Sequence, residues 1–131
     1  MRFARVRSLY TNLMTATSFQ ILVVEDNEDS RELLGEMLRV LGHEAYCVPT
    51  AEAAIGSFGE RRFDVLLADI NLPGMSGIAL AERLTARAPG LKIIFASGYG
   101  YLIADRTSFD FILLPKPYTL DQLRHALDTV C

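Results

Sequence analysis

Apolar residues cluster in largely continuous runs at 21–24, 63–68, 91–96 and 109–114, with a shorter run at 44–48. Runs of this length, bounded by polar or turn residues, read as strands buried on both faces, the kind found inside parallel sheets. The segments between them change to helical spacing. Over 27–41, Leu34, Met37, Leu38 and Leu41 recur on one helical face, and Gly42 is placed to end the helix. Thr50 is suited to cap a second helix through Ala51, Ala54, Ile55 and Phe58, although Gly56 and Gly59 weaken it. A third helix over 76–88 turns Ile78, Leu80, Ala81 and Leu84 inward and stops at Pro89-Gly90. Thr119 and Gln122 fit a capping box that opens a last helix, with Leu120, Leu123, Ala126 and Leu127 inward. Strict alternation of strand and helix predicts right-handed βαβ units in an α/β fold, a doubly wound five-stranded parallel sheet with about five helices.

Composition narrows the class without altering this architecture. With 131 residues, 50% hydrophobic and 22% charged, the chain reads as one ordinary globular domain. No run approaches the roughly 18 apolar residues of a membrane-spanning helix, so stable membrane insertion is not expected. Cys47 and Cys131 form no C-x-x-C pair, and His43 and His125 lack ligand spacing, which argues against disulfide or zinc frameworks and suits a reducing cytoplasm. Charge is uneven: Arg2, Arg5 and Arg7 lie in residues 1–19 without an acid, and the remaining chain carries a net −6. An acidic body of this kind is not expected to bind nucleic acid. Residues 1–19 are expected to be a disordered extension or a short amphipathic helix built on Phe3, Val6, Tyr10 and Leu13, with Met14 an alternative start. The domain proper is expected over 20–131.

The chemistry sits where strands end. In a doubly wound sheet the C-terminal ends of the strands open on one edge, where ligands bind. Glu25-Asp26, Asp69, Ser97 and Lys116 all stand at such ends and can therefore meet, although they are scattered over the chain. Taken alone, Asp69 before Asn71 and Pro73-Gly74 would be an ordinary turn former. Three carboxylates near 4 Å repel by roughly 4 kcal/mol per pair at an effective dielectric of about 20, and a bound cation resolves this. Hard oxygen donors from Glu25, Asp26, Asp69 and a backbone carbonyl near Asn71 suit Mg²⁺ or Mn²⁺ completed by water and a phosphate oxygen. The Lys116 ammonium and the Ser97 hydroxyl fit further phosphoryl oxygens. Asp69 is then read as a nucleophile that becomes an acyl phosphate. No nucleotide-cradling Gly-rich loop is present, so the expected donor is a phosphohistidine on a partner protein. Two rival classes remain: a Mg²⁺-dependent phosphohydrolase, which would want an acid two residues after the nucleophile where Asn71 stands, and an interaction module that takes no phosphoryl group, against which the complete phosphorylation set argues.

Over 20–130 the chain resembles the response-regulator receiver domain of two-component signalling. The resemblance rests on Glu25-Asp26, on Asp69 in D-x-x-x-P-G-x-x-G with Pro73, Gly74 and Gly77, on Ser97, and on Lys116-Pro117. It implies a flavodoxin-like (βα)₅ fold, a phosphoacceptor at Asp69, metal ligation by Glu25, Asp26, Asp69 and the Asn71 carbonyl, a switch hydroxyl at Ser97, and a cis Lys116-Pro117 peptide. It also implies a sensor histidine kinase or histidine phosphotransfer protein as phosphodonor, with no enzymatic activity beyond the domain's own phosphorylation and dephosphorylation. Two departures stand out. Leu113 occupies the position where receivers commonly carry an aromatic, and the Ser97 to Lys116 spacing is short, with Gly98 and Gly100 suggesting a short or mobile helix there. Phe95-Ala96-Ser97-Gly98-Tyr99 is similar to the F-A-T-G-Y signature of single-domain receivers found with HWE-type kinases, with Lys92-Ile93 and Ser97 departing from it. The chain is expected to be a cytoplasmic single-domain regulator that signals by protein contact, in which Tyr99 either takes over the role of the missing aromatic or sits beside the pocket, shielding the acyl phosphate or packing on the loop.

Overall fold

The computed structural model describes residues 17–98 and 107–130. Five strands, β1 (Gln20–Val24), β2 (Glu44–Val48), β3 (Val65–Asp69), β4 (Lys92–Ser97) and β5 (Ile112–Pro115), form one sheet in the order β2-β1-β3-β4-β5. All four pairings are parallel. Four helices are present among the described residues: α1 (Glu28–Val40), α2 (Ala51–Phe58), α3 (Gly77–Arg87) and α4 (Leu120–Val130). The helix expected between β4 and β5 falls largely in residues 99–106, outside the described residues.

Alternation of side chains along each strand divides the core in two. Leu22, Val24, Leu66, Ala68, Ile93 and Phe95 point to one face, where Ala51 and Ala54 of α2 and Leu80, Ala81 and Leu84 of α3 cover them. Ile21, Val23, Leu67, Ile94, Ala96 and Leu114 point to the other, under Leu34 and Leu38 of α1 and Leu123, Ala126 and Leu127 of α4. Full burial of each large apolar side chain contributes about 1.5–3 kcal/mol, so both helix layers are held to the sheet by these stripes.

Local chemistry sets the helix ends. Side chains of Asn27, Thr50 and Ser76 each accept a hydrogen bond from the backbone N–H three residues on. Thr119 and Gln122 form the reciprocal box, with Thr119 N–H donating to Gln122 Oε1 at 2.8 Å and Gln122 N–H to Thr119 Oγ1 at 3.1 Å. Gly42 follows α1 with φ +94°, the left-handed conformation that glycine adopts without a Cβ clash.

Two expectations are corrected. The fifth strand begins at Ile112 rather than 109, because Phe109 and Phe111 serve as packing groups instead: their rings lie 6.0 and 5.2 Å from that of Phe95. The Phe109 carbonyl accepts the Thr107 hydroxyl at 3.0 Å, and the β4–β5 register begins only at Ile94 opposite Ile112. Leu120 is 39% exposed rather than inward, since it is the first residue of α4, and burial on that helix begins at Leu123.

Candidate functional site

Sheet order reverses between β1 and β3, because β2 flanks β1 on one side while β3 and β4 continue on the other. The crevice at that switch point receives the ends of β1, β3 and β5. Glu25 follows β1 directly, and its N–H donates to the Val48 carbonyl at 3.2 Å, which continues the ladder one residue past the strand. Asp69 ends β3, and Lys116 follows β5. Side-chain oxygens of Glu25, Asp26 and Asp69 lie within 4.8 Å of one another.

Lys116 joins the two inner carboxylates. Its Nζ donates to Glu25 Oε1 and to Asp69 Oδ2, both at 2.9 Å. Each carboxylate uses its other oxygen to accept a backbone N–H, Glu25 Oε2 from Asn27 at 3.0 Å and Asp69 Oδ1 from Asn71 at 3.1 Å. Burial by itself would lower the Lys116 pKa, but the hydrogen bonds to Asp69 and Glu25 outweigh it and hold the ammonium above the ordinary lysine value. Tyr118, two residues on, is pushed up, mainly by burial, with Lys116 opposing and Glu25 and Asp69 adding to the rise. Asp26, by contrast, is exposed at the mouth of the crevice.

The loop after β3 is shaped by glycine. Gly77 opens α3 so close to the strand end that a Cβ there would lie 2.2 Å from the Asp69 carbonyl oxygen, and its N–H donates to the Ile70 carbonyl at 2.9 Å. Gly74 takes φ +78°, a conformation strained for residues with a side chain. The two glycines of the D-x-x-x-P-G-x-x-G pattern are thus a backbone requirement: the chain must leave β3, turn, and pack α3 against Asp69.

Ser97 ends β4, is buried, and lies opposite Pro115 in the register; its carbonyl accepts the Lys116 N–H at 3.2 Å. The Lys116-Pro117 peptide is cis. Asn71 is exposed in the loop after β3. Tyr99 lies outside the described residues. Sequence reading missed Arg31, whose guanidinium on the first turns of α1 donates to the carbonyls of Glu25 and Asp26 at 3.0 and 3.4 Å and ties down the acidic corner. Only its position one helical turn after the Asn27 cap hinted at this.

The three carboxylates and the geometry around them fit a hard divalent cation. Their donors are all oxygen, they converge within one ion's reach, and one of them is left solvent-facing.

The family model of the response regulator receiver domain matches residues 21–128. A sensor histidine kinase, AtsR of Burkholderia thailandensis, is 37% identical over 116 residues, covering 83% of this chain and 19% of that protein. The response regulator receiver protein CpdR of Brucella abortus is 33% identical over 112 residues, covering 83% of this chain and 93% of that protein. Among solved structures, the response regulator protein TrrA of Thermotoga maritima, in complex with Mg²⁺-BeF, superposes with a TM-score of 0.77 at 30% identity, covering 86% of this chain and 98% of that one. The chain spans less than a fifth of two of its curated relatives, AtsR and the response regulator FleR of Pseudomonas aeruginosa.

Proposed function

Because this chain belongs to the response regulator receiver domain family, we propose that it takes a phosphoryl group from a phosphohistidine onto Asp69 and passes the change on by protein contact. The observation that carries this reading is the double hydrogen bond of Lys116 to Asp69 and Glu25, which places a fixed positive charge against the one inner carboxylate that ends a central strand.

In the proposed step an Asp69 carboxylate oxygen attacks phosphorus, the phosphorus–nitrogen bond of the donor breaks, and the freed imidazole leaves with the electron pair and takes up a proton. Asp69 is positioned for this by its backbone hydrogen bond from Asn71 and by the short turn that Gly77 permits. Lys116 moves its attraction from the carboxylate to the incoming oxygens, a charge-assisted contact in a partly water-excluded crevice. The Ser97 hydroxyl is proposed as a donor to another phosphoryl oxygen.

Glu25, Asp26, Asp69 and the Asn71 carbonyl would hold Mg²⁺, with Mn²⁺ a chemical substitute. When bound, the ion neutralises charge on the carboxylates and on the transferring group. TrrA carries Mg²⁺-BeF in its solved complex, which supports the assignment by similarity.

We infer a sensor histidine kinase or histidine phosphotransfer protein as donor, since several relatives are themselves sensor kinases, and the HWE-type subgroup by the Phe95 to Tyr99 resemblance. Single-domain action in the cytoplasm belongs to the same proposal, as does Tyr99 as the residue that reports the state of Ser97.

The test is mass spectrometry of the intact chain after incubation with Mg²⁺ and acetyl phosphate. One labile phosphoryl adduct is expected, absent without the metal and absent in Asp69→Ala. An adduct that persists in Asp69→Ala would overturn the assignment.

A further inference from the structure

A second cluster of unused chemistry lies at the opposite edge of the sheet. Phe19 directly precedes β1, Phe63 and Asp64 precede β3, and Lys92 opens β4, so these residues gather at the strands' N-terminal ends, away from Asp69. With Phe58 of α2 and the Arg61-Arg62 pair they line a cavity of about 570 Å³. That volume falls in the range of roughly 300–1,000 Å³ typical of small-molecule sites.

Its walls are aromatic and its rim is cationic. The Phe58 and Phe63 rings stack with centroids 6.1 Å apart. Arg61 lies over Tyr46 at 4.7 Å and over Phe63 at 5.8 Å, and Arg87 over Phe58 at 5.3 Å. Stacking of this kind fixes a guanidinium through its face and leaves its in-plane N–H groups free to donate, at little further entropy cost. Arg61, Arg62 and Lys92 form no ion pair among the described residues. The one acid in the lining, Asp64, turns Oδ2 to the Gln20 N–H at 2.8 Å, so part of its charge is committed to the backbone.

Three cations without carboxylate partners among the described residues stand out, since residues 20–131 carry a net charge of −6. Their convergence on an aromatic wall asks for a ligand with a multiply charged anionic end and a flat apolar end. We propose that this cavity binds a nucleotide, with the phosphates on Arg61, Arg62 and Lys92 and the base against the half-buried rings of Phe19 and Phe58, which the buried Phe63 backs. Guanidinium groups suit phosphate oxygens because their paired N–H groups match that geometry. A concave pocket of this size favours a small molecule over an extended acidic peptide, whose contacts would run along a groove.

The site is tested with the full chain and mant-labelled ADP and GDP, by fluorescence, in EDTA to remove any metal-bridged binding at Asp69. Variants are Arg62→Ala and Lys92→Gln, both exposed side chains outside the core, and Asp69→Asn as the control at the other edge. Expected is saturable binding to wild type, weakened about tenfold by each loss of a charge-assisted contact and unchanged in Asp69→Asn. Adenosine and inorganic phosphate, as separate competitors, should each displace the probe more weakly than unlabelled ADP. Four results would each overturn the proposal: no saturable binding to wild type, binding unchanged in both cavity variants, binding lost in Asp69→Asn, or displacement by phosphate as efficient as by ADP. Displacement by an acidic peptide better than by ADP would reassign the cavity to a protein partner and equally reject the nucleotide.

Discussion

Lys116 Nζ stands 2.9 Å from Asp69 Oδ2, bridging 47 positions of sequence, with both side chains largely withdrawn from solvent. The same ammonium holds Glu25 at 2.9 Å. Replacing it by a neutral group of similar length leaves two carboxylates facing each other without their cation. Lys116→Met is expected to lose about 1–2 kcal/mol of stability in EDTA, less than a fully buried pair because the Lys116 side chain is 33% exposed. Adding Asp69→Asn to that variant should restore part of the loss, since one of the opposed charges is then gone. Urea unfolding of the four proteins of this cycle reads the coupling; additive losses would show that Lys116 does not hold Asp69.

The same pair predicts an alkaline limit. Lys116 has its pKa raised in the fold, so its contribution is fully present below the unfolded lysine value and is lost as pH rises through the folded one. Tyr118 is also raised, chiefly by burial, and acts in the same direction because the unfolded phenol ionises first. Stability should therefore fall on the alkaline side of pH 10, the ordinary tyrosine value. Tyr118→Phe should remove part of that slope and Lys116→Met a further part, followed by chemical denaturation at stepped pH. An unchanged slope in both variants would contradict the assigned causes.

Which parts of this were legible in the sequence follows from how far each signal reaches. Val65 to Ala68 and Ile21 to Val24 are buried on both faces, so their order as central strands was written in continuous apolar runs. From that order alone Glu25, Asp69 and Lys116 had to share an edge. Aromatic residues carried less positional information: Phe109 and Phe111 look like strand residues, yet they pack on Phe95 from outside the ladder. Leu120 fitted the helical stripe of Leu123 and Leu127, but a helix's first turn can overhang the layer it packs on. Arg31 was invisible because its contact is to carbonyls, which carry no residue-type signature. The Arg61, Phe63 and Lys92 cavity was missed for the same reason as any tertiary cluster, since three separate strand entries build it.

Glycines in this chain divide sharply by position. A Cβ at Gly77 would sit 2.2 Å from the Asp69 carbonyl oxygen, a backbone atom that cannot swing aside. Gly77→Ala is expected to cost more than about 3 kcal/mol and to move Asp69, as judged by thermal melting and by loss of phosphoryl uptake. Gly56, inside α2, meets nothing within 4 Å. Gly56→Ala should instead stabilise the protein by about 1 kcal/mol, because alanine loses less backbone entropy in a helix. Equal effects at the two positions would refute the close approach at Gly77.

On the acid side the sensitive point is His43. Its ring stacks on Phe19 with centroids 5.0 Å apart, and its Nδ1 accepts the Phe19 N–H at 3.1 Å. Burial lowers its pKa, opposed by the nearby Asp128 carboxylate. A group with a lowered folded pKa contributes stability above the unfolded value, here 6.5, and loses it as pH falls through the folded one. Protonated His43 would carry a proton on Nδ1 and could no longer accept from Phe19, so the residue leading into β1 should loosen first. NMR titration is expected to place the His43 midpoint below 6.5, with Phe19 amide exchange, corrected for the intrinsic pH dependence, accelerating over the same range. In His43→Gln an amide oxygen can keep the acceptor without titrating, and the acid-side loss should flatten. A midpoint at or above 6.5, or a Phe19 amide indifferent to His43 protonation, would sever the link between that ring and the start of the sheet.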